Sequence, residues 1–351
     1  MMTGGEMKTR LRALPSTVAV VLVGLRLLAC SAERPPAADY TPPQVERDGS
    51  TSPDMPSDDA GVDASSRDAA DDDAAACPPV EEPTPAPPQG LCLPTSVWTG
   101  PTKLPFSLGG ELLAAITPDE RTLAVYRVSG PSGELSVFDR DDDGVSFAEP
   151  KLVEPGTPVR PSRAALSPDG LSLVLLGADW RSFVIMERAS RTESFVPSDD
   201  ASPAAAAFAK LNAEGAALGP DDAFDDPTFG ADGKSFLYSV LPGGGRTLRI
   251  SSKDAQGVWQ VGSPLDDCEL QSYGDGKSRR PSGLSADGRT LFYFDEVRNM
   301  ARAAFRGAPT GLFTSFVDLG QRIAPQPNAT CERLYSSRLE GGATDVVRES
   351  R

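Results

Sequence analysis

Ser167-Pro168-Asp169-Gly170-Leu171-Ser172-Leu173-Val174-Leu175-Leu176 decides the architecture, because the chain repeats it. Thr117-Pro118-Asp119-Glu120 runs into Thr122–Tyr126, Gly230-Ala231-Asp232-Gly233 into Ser235–Tyr238, and Ser285-Ala286-Asp287-Gly288 into Thr290–Phe294. A degenerate fifth copy reads Ala329-Thr330-Cys331-Glu332-Arg333-Leu334-Tyr335. Self-similarity at a regular period marks a repeat architecture. The anchors Asp119, Asp169, Asp232, Asp287 and Thr330 lie 50, 63, 55 and 43 residues apart. That spacing suits a four-stranded unit of roughly 40–50 residues and exceeds a helix pair.

Within each copy the residues specify a turn and then a strand. Pro168 presets φ for the second position of a type I turn, and Gly170 suits its exit. Leu173–Leu176 and Leu291–Phe294 are apolar runs that read as strands buried on both faces. Hairpin signals follow at Ser129–Gly133, Gly177–Asp179, Pro242–Gly245 and Gly341-Gly342. Second, more polar strands come next at Leu135–Asp139, Ser182–Met186 and Thr247–Ile250. Weaker segments with an aromatic start and a terminal leucine close the units: Val145–Leu152, Val258–Leu265 and Leu312–Leu319. Proline in two of them marks an outermost strand, since sheets confine proline to edges and bulges. One further copy, Val97–Leu104, stands ahead of the first repeat, while the last repeat has nothing after it. The stray strand is therefore expected to complete the final sheet and close a ring of five blades. A sixth blade has room only in the 63-residue interval.

The Ser-Pro-Asp-Gly turn ahead of an apolar strand resembles the WD40-like (TolB-type) β-propeller repeat of bacterial envelope proteins, over about residues 93–350. The Thr330–Tyr335 variant is similar to the closing repeat of lipoproteins in that group. The resemblance implies an all-β, five-bladed propeller over residues 92–351, with interblade loops crowding one mouth of its central channel.

The N-terminus carries the expected address. Lys8, Arg10 and Arg12 precede an apolar stretch from Val18 and then Leu27-Leu28-Ala29-Cys30. This reads as a secretory signal over residues 1–29. The segment before Cys30 resembles a lipobox, which implies acylation of Cys30, and Ser31 behind it implies transit to the outer membrane, on its periplasmic or cell-surface face. Several acyl chains hold a protein where one does not, at about 0.8 kcal/mol per buried methylene. Residues 30–91 form a Pro-, Ala- and Asp-rich tether; 14 acidic and 3 basic residues lie between 31 and 90. So charged a segment, with few large apolar groups, is expected to be disordered. Its span is roughly 45 Å for about 60 residues.

Charge and composition restrict function. The chain carries −16 overall, and residues 91–351 hold 27 basic against 35 acidic residues. An acidic surface argues against a nucleic-acid partner, which requires clustered Lys and Arg. No histidine is present, so Ser-His-Asp and Cys-His catalysis and His-ligated zinc are excluded. Carboxylate chemistry stays open. Asp139–Gly144 matches the start of a calcium loop, but Pro150 stands where the twelfth-position Glu belongs. It reads as a charged hairpin turn, and neither a metal nor a cofactor is expected.

Of five cysteines, lipidation of Cys30 leaves Cys77, Cys92, Cys268 and Cys331, with three possible connectivities. Cys77 and Cys92 are near enough to pair locally. Ring closure favours Cys92 with Cys331, since both then lie on one face of the last blade; Cys268 takes Cys77 or stays free. In the 63-residue interval, Ser202-Pro203 ahead of Ala204–Asn212 predicts a short capped helix stopped by Gly215 and placed as a lid on the channel mouth. Asp221–Pro227 and the loop bearing Lys277, Arg279 and Arg280 are expected to open onto that mouth. Asp225, Asp226, Lys277, Arg279 and Arg280 are the candidate binding residues. The expected function is a lipid-anchored, non-catalytic binding or scaffold module for an envelope protein or glycan. The alternative is a carboxylate-dependent hydrolase or lyase acting on a glycan.

Overall fold

The computed structural model describes residues 90–351, apart from positions 94, 108, 129–132, 142–145, 242–245, 266–278, 297 and 341–342. The signal and the tether up to residue 89, with Cys30 and Cys77, lie outside the described residues, as do Cys268 and Lys277.

β1 (Thr99–Lys103) comes first in the chain and last in the architecture. Blade one is β2 (Glu111–Ile116), β3 (Thr122–Arg127), β4 (Glu134–Asp139) and β5 (Lys151–Leu152). Blade two is β6 (Val159–Leu166), β7 (Ser172–Gly177), β8 (Phe183–Glu187) and β9 (Val196–Pro197). Helices α1 (Pro203–Ala207) and α2 (Ala209–Ala217) lead to blade three, which is β10 (Ala223–Phe229), β11 (Ser235–Leu241), β12 (Thr247–Ser252) and β13 (Ser263–Pro264). Blade four is β14 (Arg279–Leu284), β15 (Thr290–Asp295), β16 (Met300–Phe305) and β17 (Ser315–Gly320). Blade five adds β18 (Ile323–Pro327), β19 (Arg333–Glu340) and β20 (Ala343–Ser350). Each sheet is antiparallel with its strands in chain order, except that β1 supplies the outer edge of blade five. The innermost strands meet in the order β2, β6, β10, β14, β18 and back to β2. The chain is thus a five-bladed β-propeller closed by its N-terminal strand, and the 63-residue interval holds two helices rather than a sixth blade.

The repeated turn works as its residues dictate. Ser167 Oγ donates to Asp169 Oδ1 (2.6 Å) and accepts from Ser172 N (2.8 Å), while Asp169 also receives Leu171 N. Thr117 and Ser285 repeat the pattern. In blade five Asn328 Oδ1 takes Arg333 N instead. The turn ends in the left-handed region at Glu120, Gly170, Gly233, Gly288 and Cys331. A second device recurs just after the third strand. Arg140, Arg188, Lys253 and Arg306 lie 4.4–5.2 Å from the ring centroids of Phe147, Phe195, Trp259 and Phe313. These cation–π contacts explain the aromatic start of each closing segment. In two of the segments read from the sequence the regular part is short, since β5 and β13 have two residues each, while β17 has six.

Ring closure joins distant parts of the chain. Leu91 N donates to Asp287 Oδ2 in the blade-four turn (2.9 Å), and Leu104 N donates to Val346 O (3.0 Å). Cys92 and Cys331 form a disulfide, with Cα atoms 5.3 Å apart. Both are buried in a cluster with Trp98, Phe292 and Leu334.

Three expectations about the interval between blades two and three need correction. Ser202 does cap the helix and Pro203 does open it, but the helix breaks at Phe208 and resumes through Gly215 to Ala217. Gly215 is a close-approach residue, not a stop: a Cβ there would lie 1.8 Å from Arg181 O. Nor do the helices cover the channel. Ala207, Phe208 and Leu211 are buried with Phe183, Phe224, Phe236, Tyr238 and Trp259, in the core between blades two and three. Asn212 exchanges two hydrogen bonds with the backbone of Phe183 (2.8 and 3.1 Å), covering a sheet edge that the two-residue β9 leaves bare. Asp225–Pro227 and Arg279-Arg280 also lie inside strands, in β10 and β14, rather than in loops.

Candidate functional site

The innermost strands position the site, and sequence reasoning overlooked them. Each carries a bulge next to its pairing strand. Four carry proline: Arg160-Pro161-Ser162, Asp226-Pro227-Thr228, Arg280-Pro281-Ser282 and Ala324-Pro325-Gln326. An innermost propeller strand faces the channel on one side, so it is an edge strand where proline is tolerated. The bulges free polar groups to bridge from blade to blade. Thr228 donates to Pro281 O (3.3 Å) and Ser282 to Pro325 O (2.8 Å). Gln326 accepts from Ile116 N (2.9 Å) and donates to Ala114 O (3.2 Å), stitching blade five to blade one.

A cavity of about 310 Å³ opens among residues of all five innermost strands. Toward the turns a separate cavity of about 20 Å³ lies among Ile116, Leu166, Phe229, Leu284 and Pro327. The larger cavity is divided by chemistry. Arg163 of blade two, Asp226 of blade three, and Arg280 and Glu296 of blade four form a charged arc. Leu112 and Leu113 of blade one, Ile323 and Ala324 of blade five, and Phe294 form an apolar one.

The charged arc is a chain of ion pairs. Arg163 Nε lies 2.6 Å from Asp225 Oδ1 and 3.5 Å from Asp226 Oδ1. Arg246 Nη2 lies 3.0 Å from Asp225 Oδ2, and its other terminal nitrogen bonds Asp226. Asp226 N donates to Asp225 Oδ1 (2.9 Å) from a left-handed backbone, φ 48°. Arg280 pairs with Glu296. Burial, and then the neighbouring Asp225 charge, push the Asp226 carboxyl up to about 6 against the pull of Arg163 and Arg246. Burial lowers the Arg163 guanidinium, but Asp226 and Asp225 outweigh it and raise it overall.

Of the candidates named from the sequence, Asp226 and Arg280 line the cavity, and Asp225 lies buried behind Asp226. Arg279 is buried beside Asp295 at 3.7 Å and does not line the cavity; Lys277 is outside the described residues. Arg163, Arg246 and Glu296 were missed. The recurrent X-Pro-polar triplets ahead of the turns were the available signal for Arg163, which follows one of them. Asp139 binds Arg188 at 2.7 Å and Lys151 at 3.1 Å, so the head of the calcium-like motif is committed to ion pairs. Among the described residues no group of acidic or cysteine side chains is arranged to hold a metal, and no helix is long and apolar enough to cross a membrane.

No protein-family model and no curated protein matches the chain. Solved structures do. TolB from Acinetobacter baumannii is similar at 15% identity over 69% of this chain, with a TM-score of 0.37. The chain spans 55% of that protein's length. A structure described as TolB from Agrobacterium tumefaciens is similar at 15% identity over 65% of this chain and 70% of its own, TM-score 0.36. A structure of prolyl endopeptidases is similar at 12% identity over 76% of this chain and 35% of its own, TM-score 0.31. The fold assignment stands on the five sheets themselves, and function has to be argued from the site.

Proposed function

We propose that the chain is a lipid-anchored β-propeller of the bacterial envelope, acting as a non-catalytic binding or scaffold module that takes a protein or glycan partner at the channel mouth. The lipobox-like run to Cys30, Ser31 behind it and the acidic tether support the address. The observation that carries the binding reading is the pairing of the carboxylates: Asp225 and Asp226 share Arg163 and Arg246, and Glu296 is tied to Arg280. Glycoside hydrolysis instead needs two carboxyl groups on opposite sides of the scissile bond, with separate roles. One observation favours the second reading, a carboxylate-dependent hydrolase or lyase: Asp226 near 6 is poised as a general acid would be.

Two experiments test this. Cys30→Ser should move the protein from the membrane to the soluble fraction; unchanged membrane partition contradicts the anchor. Envelope glycans incubated with the purified protein should be retained without cleavage. New reducing or unsaturated ends that vanish in Asp226→Asn would establish the enzyme reading in its place.

A further inference from the structure

We propose that the channel mouth recognises a small zwitterion carrying an apolar group, of the class of a free apolar α-amino acid or its dipeptide. This rests on the reading of the mouth as a binding site and names its ligand class.

Three observations converge. The sign of charge alternates around the arc: Arg163 positive, Asp226 negative, Arg280 positive and Glu296 negative, on three consecutive blades. A ligand of single charge meets as much repulsion as attraction there, whereas a carboxylate and an ammonium on adjacent atoms satisfy both signs at once. Leu112 of blade one and Ile323 of blade five line the same cavity, and Phe294 of blade four, the cross-strand partner of Arg280, adds to them, giving apolar surface for a hydrocarbon side group. Size sets the third limit. The mouth cavity holds about 310 Å³, and the separate cavity among the turn-side residues only about 20 Å³, so the space available suits a compact molecule. At roughly 10–15 Å³ for each water, the cavity has room for about twenty to thirty waters, so a dipeptide fills it more fully than a free amino acid.

The residues retain capacity for such a ligand. Side-chain exposure of 23% for Arg163, 32% for Arg280 and 22% for Glu296 leaves them partly open. A guanidinium has five donors; the contacts of Arg163 to Asp225 and Asp226 both fall on Nε, and those donors are not exhausted by them. Arg163 and Arg280 take the ligand carboxylate, and Glu296 with Asp226 takes the ammonium. The ligand thereby replaces part of the protein's own pairing without stranding a buried charge.

Titration calorimetry on the folded protein tests the assignment with L-leucine, leucyl-leucine, 4-methylpentanoate and 3-methylbutylamine. Leucine or leucyl-leucine should bind, and the acid and the amine, each lacking one charge, should bind at least tenfold more weakly. Arg280→Gln and Glu296→Gln should each weaken the zwitterion at least tenfold while the thermal transition stays cooperative. Equal affinity for the singly charged analogues, or no heat from any zwitterion up to about 10 mM, overturns the proposal. The analogue series uses the unaltered protein, so a misfolded variant cannot mask the result. Retention of an envelope partner alongside silence toward zwitterions overturns this inference alone. Zwitterion binding with no macromolecular partner overturns the scaffold reading and leaves this one standing.

Discussion

Gly170 shows how much one position in the repeat carries. Its φ is +74°, and a Cβ there would lie 2.8 Å from Thr122 Oγ1 on the neighbouring blade. Gly170→Ala should therefore cost about 1–3 kcal/mol, from left-handed strain and crowding together, read as a fall of several degrees in melting temperature. Glu120 occupies the same conformation in blade one, at φ 62°, where its carboxylate binds Arg140 (3.0 Å) and Arg333. Titratable residues separate by sign. Asp226 is raised from 3.8 to about 6, so the stability it contributes is present below 3.8 and is lost as pH rises through 6. Asp226→Asn, which keeps the neutral shape, should raise the melting temperature at pH 7 and flatten its decline between pH 4 and 6; a lower melting temperature at pH 7 would refute the shift. Asp139 behaves oppositely. Burial pushes it up, but hydrogen bonds from Arg188 and Thr122 and the Arg188 charge hold it below 3.8. Its stability is present above 3.8 and lost as pH falls through the lowered value. Arg188, whose side chain is fully buried, leaves that carboxylate stranded if removed, and Arg188→Ala should cost about 3–5 kcal/mol.

At the scale of elements, legibility followed burial. The second strands of blades one to four were readable because β3, β7, β11 and β15 are packed on both faces, and burial on both faces writes a continuous apolar run. The third strands were readable from the hairpin signals ahead of them. The innermost strands were not: one side faces the channel, a bulge breaks the alternation, and proline interrupts four of them. That is why the site was half legible. Asp226 and Arg280 stood out within an acidic and a basic cluster, whereas Arg163 gains its meaning from Asp225 and Asp226 on the next blade and Glu296 from Arg280 on its own. The helices were legible in their cap and opaque in their place, because a capped apolar helix reads the same over a channel or in a core. Phe208 settles the matter experimentally. Its ring packs against Phe183, Phe236 and Trp259 at centroid distances of 5.1–6.1 Å. Phe208→Ala should cost about 3–5 kcal/mol, and chemical denaturation measures it. A loss under 1 kcal/mol would return the helices to the surface.

The whole molecule is a ring whose ends must be held. β1 is exposed along its length, and its attachment depends on pairing with β20, on buried Trp98 and Leu104 beside it, and on the disulfide. The linked cysteines are 239 residues apart, a loop for which the chain-entropy relation gives about 5 kcal/mol. Cys331→Gly keeps the left-handed turn, φ 59°, while removing the bond. Cysteine count alone left three pairings open; only the expectation that the stray strand returns to the last blade singled one out. The closed wheel also makes the mouth possible, since its charged and apolar arcs come from blades one to five together. Mass spectrometry of proteolytic peptides from the unreduced protein tests that closure most directly. The account predicts one linked species joining the Cys92 peptide to the Cys331 peptide, and Cys92 joined to Cys77 or Cys268 would contradict it.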